Sequence, residues 1–341
     1  MSMSSPDKIP SFQAYIAEQC NIIHKKRTDL NDLCVQKIIH ANSPFELYPN
    51  HPIQTNKRLK YGALLIHGLL DSPFSLRDIA HHLKNHGILS RAILLPGHGT
   101  IPDDLLSITY DDWIKAVRFG IDSLKNQVEQ IFMVGYSTGA ALSIYHAYQE
   151  SAICGMILLS PAIKIKAPIR FIVHWHRFIK KFGRDHYQWL YKSKENDYAK
   201  YQSIPFNAIT QVAKLTDVIQ TLHTKHSLET PLFLIMSHDD ETVSSRGALQ
   251  FFKNLPHPAS RFMLYTTQQL HFNDSRICTR FTHPESMHIK HYAHAAIPFS
   301  PNNLHYGMMG DYETTSISST ISYNPDFSYM ANEIVRFIKN Q

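Results

Sequence analysis

IFMVGYSTGAALSIY, residues 131–145, is the stretch that decides the architecture. Four apolar residues, Ile131 to Val134, predict a buried strand, and Ala140-Ala141-Leu142-Ser143-Ile144 opens a helix. Between them Gly135-Tyr136-Ser137-Thr138-Gly139 puts a serine on a strand-to-helix turn. That turn is sharp and strained, with room only for glycine two residues to either side. It lifts the hydroxyl above the sheet edge and points the free N–H groups of the helix N-terminus at the same spot. A hydroxyl to attack and donors for the oxygen that becomes negative are the two requirements of nucleophilic acyl chemistry. A bland turn would need neither the strand before it nor the helix after it.

Outward from this point the rhythm is short apolar runs alternating with amphipathic segments, the signature of βαβ units and a parallel sheet. Predicted strands cover 62–66, 90–95, 130–134, 155–159, 231–236 and 261–265. Predicted helices lie near 75–85, from Asp111 onward with Trp113, Val117, Ile121 and Leu124 on one face, over 138–148, and at 329–338. Residues 11–40 carry apolar positions at helical spacing, so 1–55 reads as an N-terminal helical extension without a motif. The expected core is 56–160 with 230–341. Residues 161–229 are too long for a simple crossover and read as a helical cap. A second long stretch, 267–327, follows the last clear sheet strand and is rich in His, Pro, Ser and Asn.

After the strand ending at Ile66 comes His67-Gly68-Leu69-Leu70-Asp71-Ser72. A His-Gly step here lets the loop turn back toward the serine. The Leu69 N–H then joins that of Thr138 as an oxyanion hole. HGLLDSP (67–73), LLPGHGT (94–100), GYSTG (135–139) and SHDDETV (237–243) together resemble the α/β-hydrolase superfamily. Within it they are similar to monoacylglycerol lipases, bacterial carboxylesterases and serine aminopeptidase-like proteins. The resemblance spans about 60–265 and the last helix. It implies an α/β-hydrolase fold, a mostly parallel central sheet flanked by helices, and a Ser-Asp-His triad in that chain order. It also implies no metal or other cofactor, with acyl esters as the usual substrates.

The pattern of that family selects Asp240 as the acid, four residues past the strand 231–236, with Asp239 as the alternative. Two of the 22 histidines compete as the base. The family's usual spacing points to His271. The segment 293–307, AHAAIPFSPNNLHYG, resembles a Ser-His-x-x-x-Pro stretch of a bacterial esterase-like subset and favours His294. His98 precedes the serine and has the wrong order for a base, so it reads as structural. His288, His291 and His294 share a three-residue spacing, but no carboxylates at ligand spacing accompany them, and no metal site is expected.

Composition sets the outer bounds. With 341 residues and 43% hydrophobic content the chain buries a substantial core. Cys20, Cys34, Cys154 and Cys278 are scattered, without the spacing of a disulfide framework or a thiolate zinc site. The first residues lack a secretory pattern, and no apolar run approaches the ~20 residues that span a bilayer, so a cytoplasmic protein is the expectation. The formal charge is +6, yet residues 164–194 hold nine Lys or Arg against one acid. There Phe171, Trp175, Phe178 and Phe182 form one helical face and Arg170, Arg177, Lys181 and Arg184 another. Such a helix packs its rings over the pocket, or lies on an anionic membrane surface. No motif for nucleic acid accompanies the charge. The expected partner is a small acyl ester or a monoacyl lipid, and the expected activity is that of a carboxylesterase or monoacyl-lipid lipase. An amide-cleaving peptidase or acyltransferase on the same triad, and a non-enzymatic binding protein on this scaffold, are the alternatives.

Overall fold

A computed structural model describes residues 10–27, 35–55, 58–164, 188–281, 294–311 and 321–341. The central strand is β5 (Val128–Tyr136), flanked by β3 (Arg58–Ile66) and β6 (Ile153–Leu159), and every pairing among the three is parallel. Its middle residues, Ile131 to Val134, are buried on both faces, which is why they form an unbroken apolar run instead of alternating. Beyond β3 lies β4 (Leu89–Ile93). Beyond β6 lie β9 (Leu232–Ser237), β10 (Arg261–Thr266) and β11 (Ile277–Phe281), all parallel.

Two cores follow from the strand period of two. Leu64, Ile66, Met133, Leu158 and Leu234 face one side, where α4 (Tyr110–Lys125), α5 (Thr138–Ala147) and α6 (Phe206–Lys225) cover them. Leu65, Phe132, Val134, Ile157 and Ile235 face the other side, under α3 (Arg77–Asn85) and α7 (Phe327–Lys339). The apolar stripe predicted for α4 is fully buried at Trp113, Val117, Ile121 and Leu124. A Thr109–Asp112 capping box starts that helix.

The edges of the sheet differ from the sequence expectation. The N-terminal stretch does contain helices, α1 (Phe12–Lys26) and α2 (Val35–Asn42), but β1 (Phe45–Leu47) joins the main sheet antiparallel to β4. Glu46 pairs there with the buried Arg91 guanidinium. The two-residue β2 (Gln54–Thr55) pairs with β3. Strands this short show no period. At the other edge β11 lies within the stretch that follows the expected last strand. It mixes Ile277, Cys278 and Phe281 with Thr279 and Arg280, and Arg280 reaches Asp326 at 2.9 Å.

Between β6 and β9 the described chain forms a two-stranded ribbon, β7 (Trp189–Tyr191) with β8 (Ile204–Pro205), followed by α6. The helical face carrying Phe171, Trp175, Phe178 and Phe182, and the residues His288 and His291, lie outside the described residues. Among the described residues no helix is long and apolar enough to cross a membrane. Cys20, Cys154 and Cys278 are free thiols.

Candidate active site

Ser137 sits between β5 and α5 with φ 52° and ψ −110°, in the left-handed half of backbone space that a serine rarely enters. The surroundings enforce it. Its N–H donates to the Leu159 carbonyl at 2.9 Å and its carbonyl accepts from Ala162 N–H at 3.1 Å, so the end of β6 grips both sides of the peptide. A Cβ on Gly135 would come within 2.5 Å of the Ala140 backbone, and one on Gly139 within 2.0 Å of the Ile66 carbonyl oxygen. The glycines at ±2 are therefore required by backbone that cannot step aside.

The Ser137 hydroxyl is 3.0 Å from His294 Nε2. His294 Nδ1 is 2.7 Å from Asp240 Oδ2. The carboxylate beyond is buried, and its other oxygen accepts the Thr242 and Val243 N–H groups at 2.9 and 2.8 Å. Those amides replace the water that an ionised carboxylate would otherwise lose on burial. With Nδ1–H donated to Asp240, the Nε2 lone pair faces the serine hydroxyl. His294 is itself fixed through its backbone, which sequence reasoning missed. Its N–H donates to both oxygens of the Glu241 carboxylate at 3.1 and 2.9 Å, and its carbonyl accepts from the Tyr136 hydroxyl at 3.4 Å. Burial holds that phenol protonated by pushing its pKa well up.

The alternatives lie elsewhere. Asp239 is turned toward His238, at 2.9 Å, and Thr267. His271 is exposed in the loop between β10 and β11.

Leu69 and Thr138 both line the cavity in front of Ser137. Thr138 is the first residue of α5, so its N–H has no partner within the helix. The loop bearing Leu69 is held by two buried imidazoles. His67 donates from Nδ1 to the Gly68 carbonyl at 2.8 Å and accepts the Leu95 N–H on Nε2 at 3.0 Å. His98 accepts the Leu70 N–H on Nε2 at 3.1 Å and faces the Leu95 and Pro96 carbonyls with Nδ1. Each ring must donate from one nitrogen and accept on the other, which only neutral imidazole does. Burial enforces that state, pushing His67 well below its ordinary range and His98 down to about 4. The loop HGLLDSP and the turn LLPGHGT are thus one unit.

The cavity has a volume of about 400 Å³ and is walled by apolar side chains from the strand ends and from the 188–229 segment, among them Leu70, Leu190, Ile204, Ile209 and Val212. Among the described residues no cluster of His, Cys, Asp or Glu is arranged to hold a metal ion.

The sequence model of a hydrolase family described as serine aminopeptidase, S33, matches residues 60–271. The chain belongs to this S33 family. The S33 match stops at 271, short of His294. A thermostable monoacylglycerol lipase of Bacillus sp. (strain H-257) is 27% identical over 197 residues, covering 57% of this chain and 76% of the relative. A carboxylesterase of Bacillus subtilis (strain 168) is 23% identical over 189 residues, covering 54% and 74%. The solved structure of the Paleococcus ferrophilus monoacylglycerol lipase superposes with a TM-score of 0.57 at 15% identity, covering 87% of this chain and 98% of that one. The S33 chain described here therefore has the α/β-hydrolase fold, with its sheet and flanking helices in the expected layers.

Proposed function

We propose that this protein is a serine hydrolase that cleaves carboxylic esters, of the carboxylesterase or monoacyl-lipid lipase kind, through an acyl-enzyme. The observation that carries the reading is the unbroken chain Asp240–His294–Ser137, with links of 2.7 and 3.0 Å, ending on a serine held at a strained turn. His294 Nε2 takes the Ser137 proton as the oxygen attacks the acyl carbonyl. The Leu69 and Thr138 N–H groups receive the oxyanion. The imidazolium then passes its proton to the departing alcohol. In the second half water gives a proton to His294, attacks the acyl-enzyme and releases the acid, returning the proton to Ser137. Asp240 stays ionised and holds the ring throughout.

In this reading residues 188–229 wall the site, and their apolar side chains take the acyl chain at roughly 0.8 kcal/mol per buried methylene. The curated relatives carry ester-cleaving names, whereas the family description names an aminopeptidase, so an amide series is the necessary control. The test is labelling with a fluorophosphonate probe, mapping of the modified residue, and turnover of p-nitrophenyl esters beside matched anilides. Labelling at Ser137 with ester turnover well above anilide turnover is the expected result. No labelling, or anilides cleaved as fast as esters, overturns it.

A further inference from the structure

Asp197, His305 and Tyr306 are buried together and take no part in the proton relay. Asp197 comes from the segment between β7 and β8, and its two partners lie past residue 271, where the S33 match ends. Asp197 Oδ1 accepts the Ala199 and Lys200 N–H groups at 2.8 and 3.3 Å, which folds 197–200 into a tight turn. The same oxygen accepts His305 Nε2–H at 3.1 Å, and Oδ2 accepts the Tyr306 hydroxyl. Against burial, the hydrogen bonds from His305 and Tyr306 hold the Asp197 carboxyl below its ordinary range. A buried network satisfied to this extent is rigid. Ala199, Phe299, Tyr306 and Phe74 pack around it as a small core of their own.

The turn runs directly into Tyr201, which grips the site from two sides. Its N–H donates to the Leu70 carbonyl at 2.7 Å. Its hydroxyl accepts the Thr100 N–H at 2.7 Å and donates to the Gly97 carbonyl at 3.3 Å. Leu70 is thus held on its carbonyl by Tyr201 and on its N–H by His98. It adopts φ 63°, a left-handed conformation that a leucine keeps only where the surroundings impose it. The residue before it is Leu69, whose N–H is one of the two oxyanion donors in the ester-hydrolase reading.

We infer that Asp197, His305 and Tyr306 are positioning residues, a buried clasp that uses the C-terminal segment to hold Tyr201 on Leu70 and so keeps the Leu69 N–H aimed at the oxyanion. None of the three touches the reacting atoms. Their effect passes through one main-chain hydrogen bond, Tyr201 N–H to Leu70 carbonyl. The far end of the turn is moored as well, since the Tyr198 carbonyl accepts from Asn42 Nδ2 at 2.7 Å and from Arg27 at 3.2 Å. With that end fixed, loosening the Asp197 clasp is felt at Tyr201. An oxyanion donor displaced even slightly loses much of its value in the transition state while the substrate binds as before. The inference rests on the ester-hydrolase reading of Ser137.

The experiment measures kcat and KM for p-nitrophenyl butyrate in the full chain and in Asp197→Ala, Asp197→Asn and Tyr306→Phe. Endpoint fluorophosphonate labelling of Ser137 counts the folded sites. Inhibition by a trifluoromethyl ketone, whose adduct with the serine carries a charged oxygen, reads the oxyanion donors separately. Per labelled site, Asp197→Ala should lose about tenfold or more in kcat and Tyr306→Phe about threefold, with KM within about twofold of the parent. The ketone should weaken by a similar factor in each. Asp197→Asn should recover most of the loss, because its carbonyl still accepts the amides of the turn and its amide can donate to the Tyr306 oxygen. Should Asp197→Ala fail to fold, Tyr306→Phe decides alone. An unchanged kcat per labelled site, a loss confined to KM, or a fall in kcat with ketone affinity untouched would overturn the clasp while leaving the hydrolase reading intact. Failure of the unaltered protein to label at Ser137 or to cleave the ester removes the hydrolase reading and the positioning role with it.

Discussion

At the scale of single residues, His294 and His271 make the sharpest contrast. One is buried 3.0 Å from the Ser137 hydroxyl and the other is exposed in the loop between β10 and β11. Replacing His294 with Ala should lower ester kcat by about 10³-fold or more, whereas His271→Ala should stay within about twofold, measured on one p-nitrophenyl ester. Asp240→Asn keeps the shape but favours the wrong imidazole tautomer, and a loss of about 10⁴-fold in kcat is expected near neutral pH. Glu241 gives a subtler case. It anchors the His294 backbone from outside the relay, so Glu241→Ala should depress kcat by roughly tenfold with KM little changed, and Glu241→Gln should restore most of it. An unchanged kcat in the alanine variant would show that the loop holds its place without the carboxylate. Ser137, Gly135 and Gly139 were legible because a strained turn admits so few residue types. Glu241 was not, because a hydrogen bond to a backbone 53 positions away leaves no local pattern.

At the scale of elements, what could be read from the chain was whatever is buried on both sides. The six inner strands announced themselves as apolar runs, and α4 as a stripe at helical spacing. The edge strands β1 and β2 are only three and two residues long and β11 mixes polar with apolar residues, and pairing at an edge needs no apolar alternation, so nothing marked them. The turn into α5 has the least slack of any junction described. A methyl group added at Gly139 collides with the Ile66 carbonyl, and because the obstacle is main chain no side chain can swing away. Gly139→Ala should therefore destabilise the fold by about 3 kcal/mol or more, read as a fall in the chemical-denaturation midpoint. A midpoint within error of the parent would mean that β3 shifts more freely than its packing indicates.

At the scale of the whole molecule, the buried histidines tie stability to pH. His98 and His146 are held down to about 4 from an ordinary 6.5, and His67 is held well below it, all chiefly by burial. In the unfolded chain each takes a proton below about 6.5, whereas in the folded chain His98 and His146 do so only near 4 and His67 only well below its ordinary range, so the unfolded state binds more protons in between. Stability should fall as pH drops from 6.5 toward 4. Asp71, raised from 3.8 to about 6, and Asp78, also raised by burial, work in the opposite sense over part of that window, against a larger number of lowered histidines. Thermal melts between pH 7 and 5 check the sign. In His98→Asn, whose side-chain carbonyl can still accept the Leu70 N–H, the decline should be shallower, and an equal slope would remove His98 from the account. The inner layers of the fold were readable and its edges were not. The meeting of its distant parts at the site was readable only through likeness: the S33 match ends at 271, and His294 rested on the separate resemblance of 293–307 to an esterase-like subset.

The partners of the Ser137–His294 contact lie 157 positions apart, with four further sheet strands, β6, β9, β10 and β11, encoded in the interval. On the proposed mechanism the nucleophilic oxygen is synthesised long before its base, so a newborn chain should be chemically silent until residue 294 emerges, shortly after β11 completes the edge of the sheet.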